Sequence, residues 1–113
     1  LVELFQFRLA LPWFEKVVEL DPNDSSTKGK LIYLYQQCGE YEKSIALAKE
    51  MLTSVNAGDT DIIEELYSVL ADNYFIKGDT DTAIDWLDKI IRESKNKDLV
   101  EFTKNIRASW SSM

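Results

Sequence analysis

Two stretches of the chain align on each other without a gap: LYQQCGEYEKSIALAKEML at 34–52 and NYFIKGDTDTAIDWLDKII at 73–91. Their glycines, Gly39 and Gly78, fall in register 39 residues apart. Self-similarity at such a period marks a stacked repeat, in which each unit buries its apolar face against a neighbour. Inside each unit the apolar period is helical. Leu31, Leu34, Tyr35 and Cys38 make one stripe; Tyr41, Ile45, Ala48 and Leu52 make the next. Leu66, Leu70 and Tyr74 follow, then Ala83, Leu87 and Ile90–Ile91, and last Leu99, Phe102, Ile106 and Trp110. An earlier stripe runs through Trp13, Val17 and Leu20, with Phe14 and Val18 beside it. No segment alternates with period two, so about six helices joined by short turns are expected.

The punctuation agrees. Asp21-Pro22-Asn23-Asp24-Ser25 stops one helix and caps another, and Gly39 and Gly78, each followed by an acidic residue, suit tight helix–helix turns. Asp61 with Glu64, and Asp98 with Glu101, have capping-box spacing with Asp as the N-cap. Pro12 either opens the first helix or lies within a longer, kinked one. Leu4, Phe5, Leu9 and Leu11 carry the apolar pattern upstream of it, which favours the longer helix.

Composition closes off several chemistries. The 113 residues, enough for a single domain, contain no histidine and one cysteine. That excludes imidazole bases, His-ligated metals, Ser-His and Cys-His pairs and internal disulfides. The net charge of −7 comes with scattered Lys and Arg, unlike a nucleic-acid or anionic-membrane surface. No apolar run reaches the roughly 20 residues needed to span a bilayer. The opening Leu1-Val2-Glu3 lacks an initiator Met and forms no signal peptide, so the chain reads as a fragment or a processed form.

The residues resemble the tetratricopeptide repeat, a helix–turn–helix unit of 34 residues. Tyr67, Leu70, Ala71 and Tyr74 stand where that family has Trp, Leu, Gly and Tyr. Gly78 is the turn glycine, Ala83 the small packing residue, and Leu87 replaces the second aromatic. The earlier unit keeps Leu31, Tyr35, Gly39 and Tyr41, with Ser44 for the Ala and Ala48 for the aromatic. Before it, Ala10, Phe14, Lys16 and the LDPND run ending in Asp24 resemble the second half of another unit, with Pro22 as the closing proline. About five residues beyond 34 fall in TSVNAGDTD at 53–61, which lacks that proline. The resemblance implies an all-α, right-handed α-solenoid in one domain: a half repeat at 1–24, repeats at 25–58 and 61–94, and a capping helix at 98–110.

It also implies a protein–protein or peptide interaction module with no catalytic role, whose partner lies in the concave groove formed by the first helix of each repeat. On the wheel, the face of 25–38 away from the core carries Ser26, Gly29, Lys30, Tyr33, Gln36 and Gln37. On 61–77 it carries Glu65, Ser68, Val69, Asp72, Phe75 and Ile76. The groove candidates are Lys30, Tyr33, Gln37, Glu65, Asp72, Phe75 and Ile76. Phe75 and Ile76 either meet the partner or lie under the helix at 98–110. Some family members grip a C-terminal carboxylate with basic residues on these faces; here only Lys30 is basic, and Glu65 and Asp72 are acidic. Two other readings are a peptide-sensing domain of a bacterial regulator, with Asn73 bonding peptide backbone, and an accessory domain of a larger enzyme.

The remaining chemistry-bearing residues have structural readings. Asp79–Asp81, Glu64–Glu65 and Asp85–Asp88 suit solvated faces or caps, and Asp59-Thr60-Asp61 lacks the glycine and closing Glu of a calcium loop. Neither cofactor nor metal is expected. Cys38 lies on a core stripe with no base to activate it. Trp13, Trp86 and Trp110 read as core. Leu4, Phe5, Phe7, Leu9 and Leu11 are too many for one helix to bury on one side. They are expected to meet an absent upstream helix, a second copy or another domain, or else to wrap back on their own repeat.

Overall fold

The computed structural model describes residues 2–112, and every regular element among them is an α-helix. In chain order these are α1 (Val2–Leu20), α2 (Ser25–Gln37), α3 (Tyr41–Ser54), α4 (Thr60–Ile76), α5 (Thr80–Glu93) and α6 (Lys97–Ser111). The expected all-α fold of about six helices is what forms. The helices fall into two compact units, one up to Ser54 and one from Val55 onward. In the first, α2 packs on α1 and on α3; in the second, α5 packs on α4 and on α6.

Each unit contains one tight helix turn, built the same way. Gly39 has φ +78° and Gly78 φ +94°, the left-handed region that any side chain makes costly. Around Gly39, the Gly39 amide donates to the Gln36 carbonyl at 3.1 Å and the Glu40 amide to the Tyr35 carbonyl at 2.8 Å. Around Gly78, the Gly78 amide donates to Phe75 and the Asp79 amide to Tyr74, at 3.0 and 2.9 Å. This pair of bonds is the Schellman closure, which satisfies carbonyls that the ending helix leaves open. The next residue then serves the following helix: the Asp79 carboxylate accepts from the Thr82 amide at 3.2 Å. One residue thus closes one helix and caps the next. A Cβ at Gly78 would meet no atom within 4 Å, so the penalty for Gly78→Ala lies in the backbone alone. It is expected to lower stability by about 1–2 kcal/mol, read as a fall in the urea midpoint at unchanged slope.

The other caps correct the sequence reading in part. Asp24 caps α2 as expected, accepting from the Thr27 amide at 3.1 Å and the Thr27 hydroxyl at 2.6 Å. The α4 cap position is Asp59, not Asp61, and the α6 cap is Asn96, not Asp98. The Asn96 side chain accepts from both the Asp98 and Leu99 amides at 3.1 and 3.2 Å, which starts α6 one turn-fraction early. Asp61 and Asp98 sit in the first turns instead, where a carboxylate complements the helix dipole.

The cores follow the stripes. Leu31, Ile32, Leu34, Tyr35 and Cys38 of the first unit are buried, with Ser44, Ile45, Ala48 and Met51 of α3. In the second unit the buried set is Leu66, Tyr67, Leu70, Ala71 and Asn73 of α4, with Ala83, Leu87 and Ile90 of α5 and Thr103 of α6. The small residues at Ser44 and Ala83 are fully enclosed. The Ser44 hydroxyl donates to the Ile32 carbonyl at 2.9 Å, so it satisfies itself on the backbone of the neighbouring helix.

α1 and α6 depart from the stripe reading. α1 continues through Pro12, which removes the bond its amide would give to the Arg8 carbonyl. Trp13, Val17 and Leu20 were expected to face a core, yet they are 76%, 40% and 73% exposed. Polar anchors set the helix's rotation. The Arg8 guanidinium donates to the Cys38 carbonyl at 3.0 Å, and the Tyr35 hydroxyl donates to Glu15 at 2.7 Å. Phe7 meets Tyr33 edge to face at 6.1 Å. Residues 7, 8, 11, 15 and 18 therefore face α2, and Trp13 lies on the far side. On α6, Phe102 is likewise exposed and Thr103 is the buried residue, its hydroxyl donating to the Leu99 carbonyl.

Candidate interaction faces

The α2 face builds from helical spacing: 26, 30, 33 and 37 recur at three or four residues and share one side. Ser26, Gly29, Lys30, Tyr33 and Gln37 are exposed, and Gln36 is half-buried. Tyr33 remains half open while its ring meets that of Phe7 edge to face. That contact restricts the ring without covering it, which suits an aromatic anchor.

The α4 face carries Glu65, Asp72 and Ile76, all exposed, with Ser68 and Val69 half-buried beside them. Asp72 reaches solvent, yet the protein around its carboxyl raises its pKa above the ordinary carboxylate value. The folded state therefore holds the proton more tightly than the unfolded one. Stability from this group is present at low pH and is lost as pH climbs through and above the ordinary carboxylate range. Asp72→Asn is expected to stabilise the chain at neutral pH, and the gain should vanish when wild type and variant are compared near pH 3. Thermal melts at the two pH values check the sign.

The two apolar candidates separate. Phe75 stacks on Trp110 of α6 with ring centroids 4.2 Å apart and planes within 7°. Ile76 is 51% exposed. The C-terminal helix thus engages Phe75 and leaves Ile76 open. Trp86 also lies against an aromatic, Tyr67 at 5.6 Å, and Lys89 sits over both rings.

Two concave features escaped the sequence reading. In the first unit an open groove of about 740 Å³ is lined by Glu15, Val18, Tyr35, Lys43, Leu47 and Glu50, among others. In the second, a cavity of about 310 Å³ lies between the start of α4 and the end of α5, beside Ile63, Tyr67, Ile90 and Glu93. The Tyr67 hydroxyl donates to Glu93 at 3.0 Å and the Ser94 hydroxyl to Glu64 at 2.7 Å, so these two carboxylates of its lining are already engaged. Burial, and then the bonded carboxylate, push both Tyr35 and Tyr67 above the ordinary tyrosine value. Glu15 and Glu93 left a faint signal: each is a charged position beside an apolar stripe, placed to meet a tyrosine on the adjacent helix.

Among the described residues, no cluster of three Cys, Asp or Glu side chains is placed to hold a metal ion, and no helix is long and apolar enough to cross a membrane. A search of curated proteins and of solved structures finds no match to the chain. Residues 64–97 match the family model of the tetratricopeptide repeat, a span that takes in most of α4, the Gly78 turn and all of α5. The helix pair of α4 and α5, with its glycine turn and its enclosed Ala83, is thus similar to one tetratricopeptide repeat over residues 64–97.

Proposed function

We propose that the chain is a non-enzymatic module that binds protein or peptide segments on the exposed face of α4 in the second unit and, as a separate face, on that of α2 in the first. Repeats of this family are protein–protein interaction units. The observation that carries the reading is the α4 face, where Glu65 and Asp72 stand with the open side chain of Ile76 on one stripe. Acidic groups beside an apolar contact suit a segment that is both basic and apolar. Tyr33, with Lys30 and Gln37 on either side, adds an aromatic anchor and hydrogen-bonding groups on α2.

Calorimetry with two synthetic peptides tests this, one alternating Lys and Leu and one alternating Glu and Leu. The basic peptide is expected to bind and the acidic one not. Glu65→Gln with Asp72→Asn should weaken binding about tenfold or more, and Glu101→Gln on α6 should change it little. Binding that responds equally to both changes would reflect net charge alone and would contradict the assignment.

A further inference from the structure

Among the described residues, α1 carries a strip of exposed apolar side chains on the side opposite α2. Phe5 is 63% exposed, Leu9 59%, Trp13 76% and Leu20 73%, with Val17 at 40% on one flank. Residues 5, 9, 13 and 20 fall within about 80° of one another on the wheel, so they form one strip rather than scattered contacts. From Phe5 to Leu20 the strip is about 22 Å long. Its five side chains leave roughly 600 Å² open, at the upper end of the largest apolar patch usual on a monomer.

We infer that this strip seats on the same strip of a second copy of the chain, in an antiparallel two-fold pairing of α1 with α1. Three features favour a second copy. The first is area. Doubling the patch buries about 1,200 Å², the lower bound for a stable, specific interface. The second is self-complementarity. Trp13 lies at the middle of the strip, so an antiparallel pairing sets Phe5 against Leu20 and Leu9 against Val17, and brings the two tryptophans together near the axis. A two-fold contact of this kind needs one patch that matches itself, and a large exposed tryptophan at its centre is the usual energetic anchor.

The third is charge. The chain carries −7, which opposes self-association over most of its surface. The strip is nearly free of that charge. Arg8 and Glu15 are turned to α2, where they bond Cys38 and Tyr35. Lys16 is the one charged residue within the strip, and it pairs with Glu19 at 3.8 Å on the same helix. Its aliphatic stem can lie along the neighbouring apolar surface while its ammonium stays in water. This surface is distinct from the α2 and α4 faces assigned to a partner, so a dimer leaves those faces open.

Sedimentation velocity on the full chain, from about 1 to 500 µM, tests the inference. Wild type is expected to pass from monomer to dimer within that range. Trp13→Asp should weaken the dimer about 30-fold or more with its helical circular dichroism unchanged. Phe7→Ala, on the α2 side of the helix, is the control that should leave association in place. Trp13→Phe, which keeps the apolar contact, should largely retain the dimer and guards against an unfolded Asp variant. A wild type that stays monomeric to 500 µM would overturn the inference and leave the strip to a different chain. A dimer indifferent to Trp13→Asp would overturn it as well.

Discussion

Leu70→Ala should lower stability by about 2–5 kcal/mol, the largest effect of any single substitution considered. Leu70 is wholly enclosed on α4, the helix that packs on α5. Truncation removes apolar surface from a close-packed interior and leaves a void that the two helices cannot close by sliding. Urea unfolding followed by circular dichroism measures it. Each kcal/mol corresponds to roughly 4–8 °C in Tm for a domain of this size, so the melt should fall by at least about 8 °C. A shift of less than 2 °C would mean that α4 is not packed as described.

The second large effect runs the other way in volume. Ala83→Leu places three extra carbons at a fully buried position of α5, the helix that packs on α4. Overpacking of this kind costs about 1–3 kcal/mol. Ala83→Gly is the useful companion, because it removes the methyl without adding bulk and costs about 1 kcal/mol through helix propensity alone. If Leu at this position were harmless, Ala83 would not lie between two helices and the repeat register would be wrong. The same logic applies to Ser44 in the first unit, where the hydroxyl is also tied to the Ile32 carbonyl. Replacement of Ser44 by Val would add bulk and strip a bond together.

Much of this was legible in the residues because local chemistry and packing agree. Gly39 and Gly78 require a left-handed backbone, and each sits where a helix must end. The stripes on α2–α5 are legible for the same reason: on each of these helices the apolar period marks one side, and that side is the one buried within its unit. The two end helices were harder. On α1 the apolar period continues around most of the circumference, so it names no inward side. The choice is made by Arg8 and Glu15, whose bonds to Cys38 and Tyr35 depend on tertiary placement. On α6 a similar ambiguity is settled by the stack of Trp110 on Phe75 and by the ion pair of Arg107 with Asp88, which leave Phe102 outward.

Caps were misplaced by two residues because Asp59, Asp61, Asn96 and Asp98 are all good cap formers. At α6 only the Asn96 oxygen reaches two free amides, and sequence spacing alone does not rank such neighbours. The candidate faces were legible as faces, since α2 and α4 each present a polar stripe opposite their buried one. The fate of individual residues on them was not. Whether Phe75 or Ile76 stays open depends on where α6 crosses, and that contact joins residues 35 positions apart.

Amide chemical-shift mapping on the labelled full chain tests most directly whether α2 and α4 each present a face for a partner segment. On titration with the alternating Lys–Leu peptide, the largest shifts are expected at Lys30, Tyr33, Gln37, Glu65, Asp72 and Ile76, and small ones along the outward side of α6 near Lys104. Shifts confined to α6 or to the α4–α5 cavity, or spread evenly over all acidic residues, would contradict it.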